Sequence, residues 1–116
     1  EDGVLFDFGR ADINSTGFGV LDKIVNVIRK LPYPIRIEGH TDNVPIHTKR
    51  FPSNWELSTA RAVNVLKYFT NAGQIDARRL SAVGYGDSKP LVANDSPRNR
   101  AKNRRVEIVL IKEDRK

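Results

Sequence analysis

The chain has 116 residues, 39% hydrophobic and 29% charged, the balance of a globular protein large enough for one core without covalent staples. It has no cysteine, which excludes a disulfide framework and zinc–thiolate chemistry, and no apolar run approaches the length of a membrane span. Twenty Lys and Arg against fourteen Asp and Glu give a net charge of +6, which favours anionic partners: nucleic acid, lipid headgroups or an acidic wall polymer.

Residues 4–8 read as a short, mostly apolar strand, followed by a polar loop over 9–14. Asn14 or Ser15 then caps a helix with Leu21, Ile24, Val25, Ile28 and Leu31 on its buried stripe, the i, i+3, i+4, i+7 spacing of one face. Pro32 and Pro34 end it and favour extended backbone. In residues 35–40, Ile35, Ile37 and Gly39 alternate with Arg36, Glu38 and His40, the period of a half-buried strand. The polar loop beyond carries Asp42 and runs to Ser53, which forms a capping box with Glu56. A helix over residues 54–72 follows, built on Ala62, Leu66 and Phe69 with Val65 and Tyr68 beside them and Gly73 as its left-handed cap. Residues 80–85 form a third strand, and the turn-rich segment 88–99 leads to a short basic helix over 98–104. The last strand, 106–111, sets Val106, Ile108 and Leu110 on one face, and 113–116 read as a frayed charged tail. No repeat or linker interrupts this order, so a single domain over 1–116 is expected. Its architecture should be a two-layer α/β (α+β) sandwich: a four-stranded mixed sheet in β-α-β-α-β-β order with the helices on one face. Strands joined through helices should run parallel, and the last strand, which lacks a full crossover helix, antiparallel.

Asp42 stands at the carboxyl end of a strand, and Arg61 lies two turns into the next helix, leaning back over its start. The two can meet at the mouth of one cleft. There a carboxylate would take an ammonium and a guanidinium a carboxylate, which suits a zwitterion. The same pair also reads as a structural salt bridge that pins the loop to the helix. Asn54 serves either capping or an anion at the helix start, and Ser58 reads as capping and packing. Asp7 reads equally as a plain turn former, and Trp55 as packing or a cleft wall. Arg98, Arg100, Lys102, Arg104 and Arg105 form a basic cluster of the kind that usually makes a solvated face. Arg104, just before a strand, is placed to reach the cleft, whereas Arg105 is expected at the surface. His40, His47 and Asp42 lack the tight four-ligand spacing of a structural metal site, so neither metal nor cofactor is expected. No nucleophile–base pair or phosphate-binding glycine loop is apparent, and no acid pair is placed to flank one glycosidic bond, so an enzyme is not expected.

Several separated motifs carry a resemblance. Gly39-His40-Thr41-Asp42, Asn54, Leu57-Ser58, Arg61-Ala62, Gly84-Tyr85-Gly86, Pro90, Asn94, Arg100 and Asn103-Arg104-Arg105-Val106 together resemble the OmpA-like peptidoglycan-binding domain over residues 6–110. Asn43-Val44-Pro45-Ile46 and Phe51-Pro52-Ser53-Asn54-Trp55 look like the form found in the B subunit of flagellar motor stators, the MotB type, with a longer loop than outer-membrane members have. The resemblance implies that Asp42 and Arg61 bind the diaminopimelate of a peptidoglycan stem peptide, with Thr41, Asn54, Leu57 and Arg104 beside it. Phe6, Asp7 and the loop 9–12 would form the other wall, and the last strand would lie inside the sheet. It further implies non-catalytic anchoring of a stator to the cell wall from the periplasmic face of the membrane, strengthened when several anchors act together. The chain opens with Glu1 rather than Met and is read as the part that follows an N-terminal membrane helix and linker. A stator A subunit, bound through that helix, and a second copy in a homodimer are the expected protein partners. The loop 43–52 is expected to be the mobile, family-specific part and not the seat of chemistry, its prolines favouring a packed excursion. The alternative is a basic nucleic-acid-binding domain using residues 98–105, although no recognised nucleic-acid motif is present, and a wall hydrolase is a weaker third reading.

Overall fold

In a computed structural model, which describes residues 2–112, the side chain of Asn14 accepts the Gly17 backbone N–H at 2.7 Å and starts helix α2, Ser15–Ile28. Leu21, Val25 and Ile28 of α2 are buried. Before it lies the short helix α1, Asp2–Leu5; after it come strand β1, Ile35–His40, and helix α3, Asn54–Asn71. A 3-10 turn at Ala77–Arg79 leads to strand β2, Leu80–Gly84, then helix α4, Pro97–Asn103, and strand β3, Arg105–Leu110. The Ser53 hydroxyl accepts the Trp55 N–H at 3.2 Å and donates to the Glu56 carboxylate. Ser53 and Glu56 thus cap α3 together but bond each other through their side chains, with the hydroxyl on the Trp55 N–H where a capping box uses that of Glu56.

The sheet has the order β2-β1-β3. β1 runs parallel to β2, with Ile37 beside Ala82, and antiparallel to β3, with Ile37 opposite Ile108. One face, built on Ile35, Ile37, Leu80, Ala82, Ile108 and Leu110, packs on α2 and α3 through Leu21, Val25, Ala62, Val65 and Phe69. This single apolar layer between sheet and helices is the core.

Three expectations need correction, the first at the end of α3, where Gln74 at φ +54° and not Gly73 takes the left-handed conformation. The sheet has three strands, not four, and β3 is an edge strand among the described residues instead of lying inside. Residues 4–8 end α1 and then turn, and only Phe6 makes an isolated antiparallel bridge, to Ile13. The reason lies in the backbone. Asn14 N–H donates to Leu5 O at 2.8 Å and Arg10 N–H to Asp7 O at 3.0 Å, while Gly9 sits at φ +67° and reverses the chain. The segment therefore pairs locally. The mostly apolar composition of residues 4–8 suggested a strand, but Phe6 is fully buried and Phe8 is 88% exposed.

Helix α3 presses on the carboxyl ends of β1 and β2. A Cβ at Gly39 would lie 2.1 Å from the Ser58 carbonyl oxygen, and one at Gly84 2.1 Å from the Thr59 hydroxyl. Gly19 on α2 has nothing within 4 Å of such a position. Gly39→Ala is therefore expected to lower stability by about 1–3 kcal/mol through overpacking. Gly19→Ala should instead raise it by about 0.5–1 kcal/mol by reducing backbone freedom in a helix. Urea midpoints of the two variants check this, and an unchanged midpoint for Gly39→Ala would remove the close-approach argument.

Candidate functional site

The chain leaves β1 at His40 and turns at once. Thr41 N–H donates to Gly86 O at 2.8 Å, and the Thr41 hydroxyl donates to Asp42 O at 2.8 Å. Asp42 is thereby fixed at the end of the central strand. One of its carboxylate oxygens accepts Val44 N–H at 3.0 Å, and the other accepts Arg104 Nη1 at 2.7 Å. The Asn54 amide, at the head of α3, donates to Val44 O at 3.0 Å and so ties the loop to the helix. The ion pair at this corner joins Asp42 to Arg104, residues 62 apart in sequence.

Arg61 is 2% exposed and faces the turn after α1. Its Nε donates to Arg10 O at 2.7 Å, its Nη2 to Asp7 O at 3.4 Å, and its guanidinium carbon stands 4.7 Å from the Phe6 ring centroid. Two backbone carbonyls and an aromatic face are among the groups that hold this cation in one orientation.

Thr41, Asp42, Asn54, Leu57, Arg61 and Arg104 converge on one cleft of about 550 Å³. Phe6 and Asp7 do not line it: Phe6 lies beneath Arg61, and Asp7 offers its backbone carbonyl to Arg61 while its carboxylate accepts from Asn14 at 3.5 Å. The opposite wall instead comes from Phe8 and Gly9 of the same turn. Loop residues Val44 to Thr48 form a further, largely apolar rim. That loop is anchored by Phe51, buried against Ala11 and Leu57, and by a Thr48–Phe51 backbone hydrogen bond at 2.9 Å. Arg100, on α4, reaches the cleft as well. Its four-residue spacing from Arg104, which places both on one helical side, was the available signal in the sequence. Ser58 is fully buried and its hydroxyl accepts Gly86 N–H at 2.9 Å, so it packs and positions the strand end. Trp55 is half exposed, packed over Gly86 and outside the cleft lining. Among the described residues, one carboxylate and three guanidiniums beside an apolar rim can hold an ammonium and anionic groups.

Among the described residues, Glu38, His40 and Glu107 are the group with ligand atoms close enough to hold a metal ion, within 4.8 Å of one another. Their bonding argues for a structural network. Arg36 Nε holds Glu38 at 2.7 Å, Arg105 Nε holds Glu107 at 2.6 Å, and His40 Nε2 meets Glu38 at 3.1 Å. Arg105, expected at the surface, is thus part of a half-buried ion pair. Coordination through Nε2 would move the imidazole proton to Nδ1, which is buried without a partner.

Residues 5–104 match the sequence model of the OmpA family, and the chain belongs to that family. Protein YtxE of Bacillus subtilis, itself uncharacterized, is 44% identical over 112 residues, which covers 97% of this chain and 46% of the relative. Motility protein B of Bacillus subtilis is 40% identical over 112 residues, covering 96% of this chain and 43% of its own. The chain thus spans less than half the length of these two relatives. The fold superimposes with a TM-score of 0.89 on the cell wall anchor of the T6SS from Pseudomonas aeruginosa, at 39% identity, covering 96% of this chain and 77% of that one. It matches the periplasmic domain of Helicobacter pylori MotB with a TM-score of 0.83 at 35% identity, covering 94% and 71%.

The outer-face network makes stability depend on pH. Burial lowers the pKa of His40 below 6.5, against the opposing hydrogen bond from Glu38. Burial pushes Glu38 up, but hydrogen bonds from Arg36 and His40 outweigh it and hold the carboxyl below 4.5. In both cases the unfolded chain takes up protons first as pH falls, so stability is full above the unfolded value and is lost on acidification. Between about pH 7 and about pH 5 the loss belongs to His40, and His40→Gln should flatten the urea midpoint there while leaving the steeper fall at lower pH. Parallel pH profiles for the variant and the wild type over that interval would show that His40 does not carry the effect.

Proposed function

We propose that this domain binds peptidoglycan without cleaving it, through the diaminopimelate of the stem peptide, and so anchors a flagellar motor stator to the cell wall. The observation that carries the reading is the convergence of Asp42, Arg61 and Arg104 in one cleft of an OmpA-family fold. The ligand's ammonium sits against Asp42 and its carboxylate against the preoriented Arg61 guanidinium, with the aliphatic part of the diamino acid along the Val44–Ile46 rim. Among the described residues Asp42 is the one carboxylate lining the cleft, which supports binding over hydrolysis, since glycosidases use two carboxyl groups flanking the bond.

The stator, as opposed to another anchored machine, is favoured by the likeness to motility protein B and to the MotB periplasmic domain. The likeness to the T6SS cell wall anchor shares the wall and differs in the machine. In the whole protein, a membrane segment preceding this domain would join a stator A subunit, and two copies would pair, with the domain in the periplasm. Sedimentation of the domain at high concentration tests the pairing, and a strict monomer would confine it to other parts of the protein.

Asp42→Asn keeps an acceptor for Val44 N–H but removes the charge that faces the ligand. Cosedimentation with purified sacculi should weaken by roughly 2–5 kcal/mol, about thirtyfold or more, with the circular dichroism of the wild type retained. Arg61→Ala is a poorer probe, because it also strands the Arg10 and Asp7 carbonyls. Full sacculus binding by folded Asp42→Asn excludes this cleft. Tight binding of duplex DNA at physiological salt by a wild type that ignores sacculi would favour the nucleic-acid reading.

A further inference from the structure

Among the described residues lining the cleft, Asp42 is the one carboxylate and Arg61, Arg100 and Arg104 are the guanidiniums. A ligand head with one ammonium and one carboxylate engages Asp42 and Arg61 and leaves Arg100 without an anion. Asp42 already accepts from both Arg104 and Val44. Arg61 is oriented by the carbonyls of Arg10 and Asp7. Arg100 differs from both. It is half-buried on α4, and among the described residues no hydrogen bond or ion pair holds its guanidinium. A half-buried guanidinium facing a cleft beside two others carries an electrostatic cost that an incoming anion relieves.

We propose that Arg100 is a second carboxylate-binding point, so that the cleft selects a ligand bearing two carboxylates beside one ammonium. This rests on the reading of the cleft as a stem-peptide site and specifies it further. Arg61 takes the carboxylate of the diamino-acid head, and Arg100 takes one that lies farther along the peptide, toward α4. A stem peptide offers two sources for it. One is the free α-carboxylate of the glutamate that precedes the diamino acid; the other is the carboxylate at the peptide's end. Either presents the planar acceptor that a guanidinium fork matches, and amidation of the engaged carboxylate removes its charge.

Isothermal titration calorimetry with a stem tetrapeptide in three forms separates these cases: unmodified, amidated at the glutamate α-carboxylate, and amidated at the terminal carboxylate. All three keep the zwitterionic head. The wild type should bind one of the amidated forms about tenfold more weakly than the unmodified peptide, the scale of one charge-assisted hydrogen bond, and the weakened form identifies the source. Arg100→Gln should bind all three forms alike, at the level the wild type shows for the weakened form. Equal affinity of the wild type for the three peptides overturns this inference while leaving the stem-peptide site in place, as does a preference that survives in Arg100→Gln. A wild type that binds none of them removes the stem-peptide reading and this inference together.

Discussion

The contact between the first turns of α3 and the ends of β1 and β2 sets the geometry of everything around the cleft. Gly39 and Gly84 are neighbours in the parallel register, and both meet α3 backbone or side-chain atoms at distances that leave no room for a Cβ. The helix therefore lies directly against the strand ends. Ser58, fully buried in this contact, bonds Gly86, which in turn accepts from Thr41. The result is a rigid seam that holds Asp42, at the end of β1, within one cleft of Arg61, on the second turn of α3. Were the helix farther from the sheet, the fold would survive in outline but these two side chains would no longer meet in one cleft.

The other face of the sheet follows a different rule. Glu38 stands directly opposite Glu107 across the β1–β3 pair, a like-charge juxtaposition that would destabilise an antiparallel ladder. Arg36, Arg105 and His40 surround the two carboxylates and offset that repulsion, and His40 stacks on Tyr85 with ring centroids 5.2 Å apart. The two faces thus hold the same strand by opposite means: dispersion and apolar burial on the helix side, compensated charge on the other. This division explains how a strand with Arg36, Glu38 and His40 in alternation can be central in its sheet.

Much of this was legible in the sequence where physics is local. Caps at Asn14 and Ser53, the stripes of α2 and α3, and the alternation in β1 all depend on residues within a few positions of one another. The first segment was misleading for the same reason. Residues 4–8 are apolar enough for a short strand, but that composition does not reveal that Gly9 reverses the chain and that Asn14 claims the Leu5 carbonyl. In the site, Asp42 and Arg61 were visible as residue types at element ends. The Asp42–Arg104 pair was not, because it is made by the return of the chain after 62 residues. Arg100 reads in the sequence as part of a solvated basic face because charge runs usually are one. Its place in the cleft depends on how α4 is docked, which no periodicity records.

The way Arg61 is rooted has a mechanical meaning for any domain that bears load through its ligand. Its side chain is covalently part of α3, yet its guanidinium is also fastened to the carbonyls of Asp7 and Arg10, more than fifty positions earlier in the chain. Tension applied to a carboxylate held there would divide between two covalently remote segments, and each would be loaded against the core from a different side. Hydrogen bonds stretched together along the pull resist rupture better than the same bonds opened one after another. A single buried side chain would thus act as a junction that spreads force into the body of the domain.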